Sequence, residues 1–346
     1  MGSKKRDRTK ERDEGGNGGY VYQSRSRHAT NGSHNCVPAI DSCSPPPART
    51  SPPRKTVSVA IGASCVENAV SHELGSMLAG QLARAAAIFN VDEVVVVDDG
   101  PKHGEKEVSR AAALLAKILQ YQETPQYLRK ALIPMHELYR YCGMLAPLDA
   151  PHHLRATEWF EYREGVVTGE ESDQSLCDIG LDIQALVVGS SIPQNTRVTL
   201  HVGKARETVV ENGREYIKAS IANPLDVKRT TGRYWGYDVR IARSVKEMFQ
   251  GPFGGYDLTI GTSERGEINE CCSLSLPSYR HALVVIGGPN GLEYLLQNDP
   301  SSSQYDSPST LFDRYLNVCP NQGSRTIRTE EAVLLCLMYL RPALGI

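Results

Sequence analysis

Large apolar residues are almost missing from residues 1–54, and the first strongly apolar pattern begins at Thr56. There "TVSVAIG" (56–62) is a β-branched run that predicts a buried strand. From about Glu67 to Asn90, Leu74, Leu78, Leu82, Ala85 and Phe89 recur at spacings of three and four, which predicts a helix with one apolar stripe. "EVVVVDD" (93–99) is a second continuous apolar run, the pattern of a strand covered on both faces, as in parallel sheets. Glu107 to Tyr121 is helical again. The order β-α-β-α predicts an α/β sheet layer.

The cadence changes after "PLDAPHHLR" (147–155). "EGVVTG", "IQALVVG", "TRVTLHVG", "REYIKASIA" and "YWGYDVRIA" are short β-like segments between about Arg163 and Arg240, separated by turn residues. Such spacing predicts a small β-barrel or sandwich. The α/β pattern then resumes, with a short helix near Ser244–Gln250 and strands at "YDLTIG" (256–261), "HALVVIGG" (281–288) and Tyr315–Cys319. Thr329 reads as the N-cap of a last helix over Glu330–Leu340, which Pro342 is expected to stop. The simplest organisation has four parts: a basic, Pro-rich disordered arm (1–54), the first half of an α/β domain (55–155), an inserted β-barrel (156–238) and the second half of the α/β domain (239–346).

Charge adds an asymmetry to this picture. Residues 1–55 carry eleven Lys/Arg and five Asp/Glu, roughly +6, whereas the whole chain is at −2. A basic arm on a mildly acidic body fits nuclear import, nucleic-acid contact or simply a solvated tail. The nine cysteines include no C-x-x-C pair, so a reduced compartment is expected and a zinc site is not. No apolar run approaches the ~20 residues of a membrane span, and the N-terminus is too charged for a signal peptide. The expected location is nucleus, nucleolus or cytoplasm, not outside the cell.

Candidate chemistry gathers at three strand-to-loop junctions of the second half: "IGTSERG" (260–266), "VIGGPNG" (285–291) and "CPNQGSRTIRTEE" (319–331). The C-terminal strand ends of an open α/β sheet form one edge where ligands bind. Glycine there lets backbone N–H groups approach a ligand, although any one such turn also serves merely to close a loop. The chain has no G-x-x-x-x-G-K-[ST] motif, and "VAIGASCVEN" after the first strand is not G-x-G-x-x-G. A P-loop and an ordinary dinucleotide fold are therefore disfavoured.

"YDLTIGTSERG", "HALVVIGGPNGLE" and "CPNQGSRTIRTEEA" together resemble the SPOUT, or α/β-knot, superfamily of RNA methyltransferases, and specifically its archaeal and eukaryotic subgroup with an OB-like insertion. "SVAIGASCVENA", "LQYQETPQYLRKAL" and "YWGYDVRIA" extend the likeness over nearly all of residues 56–342. The resemblance implies a trefoil-knotted parallel sheet flanked by helices, S-adenosyl-L-methionine as cofactor, an RNA substrate such as ribosomal RNA, and a homodimer. By position it assigns the cofactor to Thr262 and Ser263, to Gly287, Gly288 and Gly291, and to Cys319, Asn321, Gly323, Ser324 and Thr326.

Methyl transfer from a sulfonium is an in-line displacement that needs alignment, and a base where the acceptor carries a proton. Glu264 and Arg265 in the first loop and Arg84 on the first long helix are the candidate catalytic residues. Arg84 stands among small apolar residues, and the alternative for it is a structural ion pair. The acceptor is a base nitrogen such as uridine N3 or a ribose oxygen. RNA contact is expected from Arg325 and Arg328, and from "KRTTGRYWGY" through Lys228, Arg229, Arg233 and Trp235. For Trp235 a place in the core is equally expected. "DAPHH" (149–153) predicts a hinge, not a metal site. The rival to an enzyme is a non-catalytic RNA-binding or mitotic scaffold that keeps the fold.

Overall fold

The structure is a computed structural model. It describes residues 55–100, 108–171, 173–251, 254–271, 273–299, 302, 305 and 307–346. The arm 1–54 and Cys36, Cys43 and Cys272 lie outside the described residues.

Six parallel strands form the larger sheet: β1 (Thr56–Gly62), β2 (Glu93–Val97), β9 (Asp238–Ala242), β10 (Leu258–Ile268), β11 (His281–Ile286) and β12 (Arg314–Asn317), in the spatial order β12-β10-β11-β1-β2-β9. Every residue of β1 and β2 is buried, as their unbroken apolar runs demand. Alternate side chains serve two cores. Val57, Val59 and Ile61 face helices α1 (His72–Ile88), α2 (Arg110–Glu123) and α7 (Thr329–Leu344). Ala60, Val95, Val97, Leu283 and Val285 pack with Met248 of α5 (Val245–Phe249) and Leu292 and Leu295 of α6 (Gly291–Asn298). Each fully buried Val, Leu or Ile side chain contributes about 1.5–3 kcal/mol.

The expected stripe of α1 is buried at Leu82, Ala85 and Phe89 and partly at Leu78, while Leu74 is half exposed. Gly75, Ser76, Ala79, Gly80, Ala83 and Ala86 widen the buried face beyond that stripe. Small residues let the helix lie close to its neighbours, a gain that hydropathy does not register. Ser71 caps this helix by accepting the Leu74 N–H at 3.2 Å. α7 also departs from expectation. Its cap is Arg328, with Thr329 already inside the helix, and Glu331 reaches back to the Arg328 N–H at 3.0 Å. Pro342 does not stop it. The helix runs on to Leu344 and ends at Gly345, whose left-handed φ of 74° suits only glycine well. In the last turn a proline forfeits only one intrahelical bond, so it is tolerated there.

The second sheet holds β3 (Tyr162–Glu171), β4 (Gln174–Asp178), β5 (Ala185–Val188), β6 (Arg197–His201), β7 (Thr208–Glu211) and β8 (Arg214–Ala222). Their order is β5-β4-β3-β6-β8-β7, and parallel pairing of β5 with β8 closes five of them into a barrel around Val167, Cys177, Ile179, Leu200 and Ile217. The last short β segment of the sequence, β9, does not join this barrel; it pairs with β2 in the larger sheet. Between β8 and β9, α4 (Pro224–Thr231) leads into Tyr234 and Tyr237, which are buried in the α/β core with their hydroxyls on the carbonyls of Val91 and Leu119. Arg163, 1% exposed, fixes the opposite entry by donating to the carbonyls of Ile179, Glu158, Leu154 and Arg155. Among the described residues no helix is long and apolar enough to cross a membrane, and no cluster of His, Cys, Asp or Glu has a metal-holding arrangement.

Candidate functional site

The three glycine-bearing junctions lie within β10 and after β11 and β12, strands that are neighbours or next neighbours at one sheet edge. The first is a bulge rather than a loop. Thr262 and Glu267 both pair with Leu316 of β12, so residues 263–266 stand out of the ladder. The second turn runs from Gly287 to Gly291, where a φ of 76° opens α6. The third, 318–328, joins β12 to α7.

These segments surround one cavity of about 330 Å³. Of the residues expected to hold a cofactor, Thr262, Ser263, Gly287, Gly288, Gly291, Cys319 and Thr326 line it, and Asn321, Gly323 and Ser324 do not. Asn321 sits at φ 58°, shaping the loop, and the exposed Ser324 donates to the Thr326 carbonyl at 2.8 Å. Glu264 and Arg265 line the cavity too. The Glu264 carbonyl is fixed by Asn317 Nδ2 at 2.9 Å, and Arg265 donates to Glu293 Oε1 at 3.0 Å. Arg325, expected to meet RNA, also borders this cavity.

Asn290, Glu293, Asn317, Gln322 and Cys336 complete the polar lining and were not singled out from the sequence. Glu293 lies two residues into the helix that Gly291 opens, the first-turn place where an acidic side chain is favoured, so that position was the available signal. Cys336 is buried in α7, and burial pushes its thiol up to about 12, so it is an inert wall. Thr262 is committed as well, donating to the Val285 carbonyl at 3.0 Å. The apolar part of the wall is Ile286, Leu292, Val318, Ile327 and Ala332. Glycine-turn backbone, a few convergent polar groups and apolar panels in a cleft of this size suit a nucleoside-sized molecule.

Arg84 is elsewhere. Its Nη1 donates to the carbonyls of Pro147 and Leu148 at 3.1 and 2.8 Å, and it borders a separate cleft of about 510 Å³ with Arg328, Glu330 and Glu331.

The expected RNA-binding stretch is divided by the fold. Trp235 is 5% exposed, and its indole N–H donates to Glu164 Oε1 at 2.6 Å. Lys228 pairs with Asp92 at 2.7 Å. Arg229 is exposed beside Asp226, and Arg233 lies 4.1 Å from the centre of the Phe160 ring. Lys228 and Trp235 border a cavity of about 370 Å³ at the seam of barrel and α/β core, whose floor is Glu123, Arg197 and Glu164. Arg197 donates to Glu123 at 2.5 and 2.9 Å and to Glu164 at 2.7 Å. Burial alone would push the Glu123 carboxyl up, but the Arg197 charge and the hydrogen bonds from His152 and Arg197 outweigh it and hold it well below the usual carboxylate range. His152 and His153 both place Nε2 within 2.9 Å of the Glu123 carbonyl oxygen, so "DAPHH" clamps the end of α2.

A family model described as "Putative RNA methyltransferase" matches residues 56–340. Among curated relatives, the mouse and human proteins named 28S rRNA (uridine-N(3))-methyltransferase are 44% and 43% identical over 303 residues, each covering 84% of this chain and 77% and 78% of their own lengths. The Drosophila melanogaster protein of the same name is 42% identical over 318 residues, covering 86% of this chain and 64% of its own length.

Proposed function

The chain belongs to the RNA methyltransferase family whose model spans residues 56–340, and from that premise we propose that its cavity takes S-adenosyl-L-methionine and that it methylates uridine N3 in large-subunit ribosomal RNA. The observation that carries this reading is the convergence of the β10 bulge, the Gly287–Gly291 turn and the 318–328 loop on one cavity. The atom and the RNA follow the names borne by the mammalian and fly relatives.

When bound, the donor supplies an electrophilic methyl group on a sulfonium. The chain's own work is alignment and proton management. Backbone N–H groups of the glycine turn and the carboxylate of Glu293 orient the donor's polar parts, and Ile286, Leu292 and Ile327 exclude water from its apolar part. Uridine N3 carries a proton that must leave as the N–C bond forms and the S–C bond breaks. Glu264, a lining residue of the cavity, takes that proton, and Arg265, held by Glu293, faces the negative charge that grows on the uracil ring.

A second copy completes the reading. Leu74, Met77 and Ile88 on α1 and Leu334, Leu335 and Met338 on the adjoining α7 are exposed apolar side chains, and the cleft of Arg84 and Arg328 lies between these helices. In a dimer across this face, Arg84 serves at the pair's joint surface. Arg325, Arg229 and Arg233 are the cations proposed to contact phosphate. The decisive experiment is nucleoside mass spectrometry of ribosomal RNA from cells with and without the chain. Loss of 3-methyluridine is expected, and its retention overturns the reading. Met338→Glu is expected to give monomers in light scattering.

A further inference from the structure

β2 ends at Val97, and two acidic residues follow it. The second, Asp99, is 3% exposed. Its Oδ1 accepts the backbone N–H of Ser64 at 2.8 Å, and its Oδ2 accepts the Ser64 hydroxyl at 2.7 Å. Ser64 belongs to the single 3-10 turn, Ala63–Val66, that follows β1. The Asp99 carbonyl in turn accepts from Asn298 Nδ2, at the end of α6, at 3.2 Å. One residue thus touches the ends of β1, β2 and α6.

It also touches the cavity wall from behind. A Cβ on Gly62 would lie 2.5 Å from Asp99 Oδ2 and 2.7 Å from the Gly288 nitrogen. A Cβ on Gly288 would fall on the Ser64 hydroxyl and lie 2.8 Å from Asp99 Oδ2. The carboxylate, the serine and two glycine backbones therefore meet with no room for a methyl group. Gly287 and Gly288 show their other side to the donor cavity.

A carboxylate is a costly choice for this position. Burial pushes Asp99 up, the hydrogen bonds from Ser64 oppose that, and the neighbouring charge is another carboxylate, Asp98. Packing alone would be served by an apolar side chain. What the carboxylate adds is direction: two acceptor oxygens that hold one turn in one place against the glycine wall.

We propose that Asp99 and Ser64 form a buried bracket that sets the position of the Gly287–Gly288 wall, making Asp99 a positioning residue for the methyl donor. This rests on the reading that the cavity holds that donor. The bracket also ties the wall to the turn after β1, whose exposed continuation, Glu67 and Asn68, stands at the same sheet edge.

The test uses the full chain, with S-adenosylhomocysteine binding by calorimetry and KM for donor and for RNA measured separately. Asp99→Ala is expected to weaken binding and raise donor KM about tenfold, because a small displacement of a positioning group is enough for such a loss. RNA KM is expected to stay within about twofold. Asp99→Asn keeps the shape and one acceptor, and is expected to recover most of the loss; Ser64→Ala, which keeps the backbone bond, is expected to fall between. If Asp99→Ala does not fold, Ser64→Ala carries the test, with weaker donor binding and unchanged RNA KM expected. An Asp99→Ala or Ser64→Ala variant that folds and binds the probe like wild type overturns the bracket alone, as does a loss confined to kcat or RNA KM. A wild-type chain that does not bind the probe overturns the cavity reading and the bracket together.

Discussion

The cavity proposed for the donor, at the strand edge, and the seam cavity beneath the barrel have nearly the same volume, about 330 and about 370 Å³, and both are lined by acidic and basic side chains. They differ in how those side chains are occupied. At the seam, Glu123 is engaged by Arg197, Glu164 by Arg197, Thr199 and Trp235, and Asp92 by Lys228. At the donor cavity, the Glu264 carboxylate and the Arg325 guanidinium have no hydrogen-bonded partner among the described residues, and glycine turns expose backbone instead. A cavity rich in charge is a structural joint when the charges are spent on each other. It is a binding site when some are left over.

Substitutions sharpen this contrast in order of size. Arg197→Ala removes the arginine charge shared by two buried carboxylates and is expected to destabilise the chain by about 3–5 kcal/mol in urea titration, with donor affinity of the folded fraction unchanged. A chain that keeps its stability would show that the seam is not a joint. The pH dependence follows from the same pair. The native Glu123 carboxyl lies below its unfolded value, so its stabilisation is complete above the ordinary glutamate range of about 4.3 and is lost as pH falls through the native value. Unfolding midpoints from pH 7 down to about 3 are expected to drop, and to drop less in Glu123→Gln.

Glu293→Gln reverses the pattern. Donor binding is expected to weaken about tenfold, or ~1.4 kcal/mol, with stability within about 0.5 kcal/mol of wild type. A fall in melting temperature without a change in binding would make Glu293 a structural helix-start residue. The smallest effect is expected for Arg229→Ala, whose exposed pair with Asp226 is worth less than about 0.5 kcal/mol. Its readout is RNA affinity, and unchanged affinity across a salt series would remove it from the RNA surface.

Much of this contrast was legible in the sequence at the donor side and little at the seam. The apolar runs of β1 and β2 announce strands buried on both faces, and the glycine turns recur at strand ends, so periodicity and turn chemistry are enough. "KRTTGRYWGY" mixes cations and aromatic rings as a nucleic-acid surface does. Whether Trp235 faces solvent depends on Glu164, which β3 delivers from 71 residues away. The same limit explains α1, where leucines mark a stripe but alanines and glycines make the close contact. It also explains Glu293 and Cys336, ordinary helix residues until the 318–328 segment closes over them.

The register of β1 has a consequence for the order in which the chain is made. Thr56 pairs with His281, so the central strand waits for 225 further residues before its second neighbour exists. A nascent chain leaving the ribosome carries an open, mostly apolar β1–β2 pair while the barrel, complete by Ala222, has already closed. Slow emergence of the last third of the polypeptide, or its truncation before β11, leaves that pair as a template for aggregation, and the cell must shield it until synthesis is nearly done.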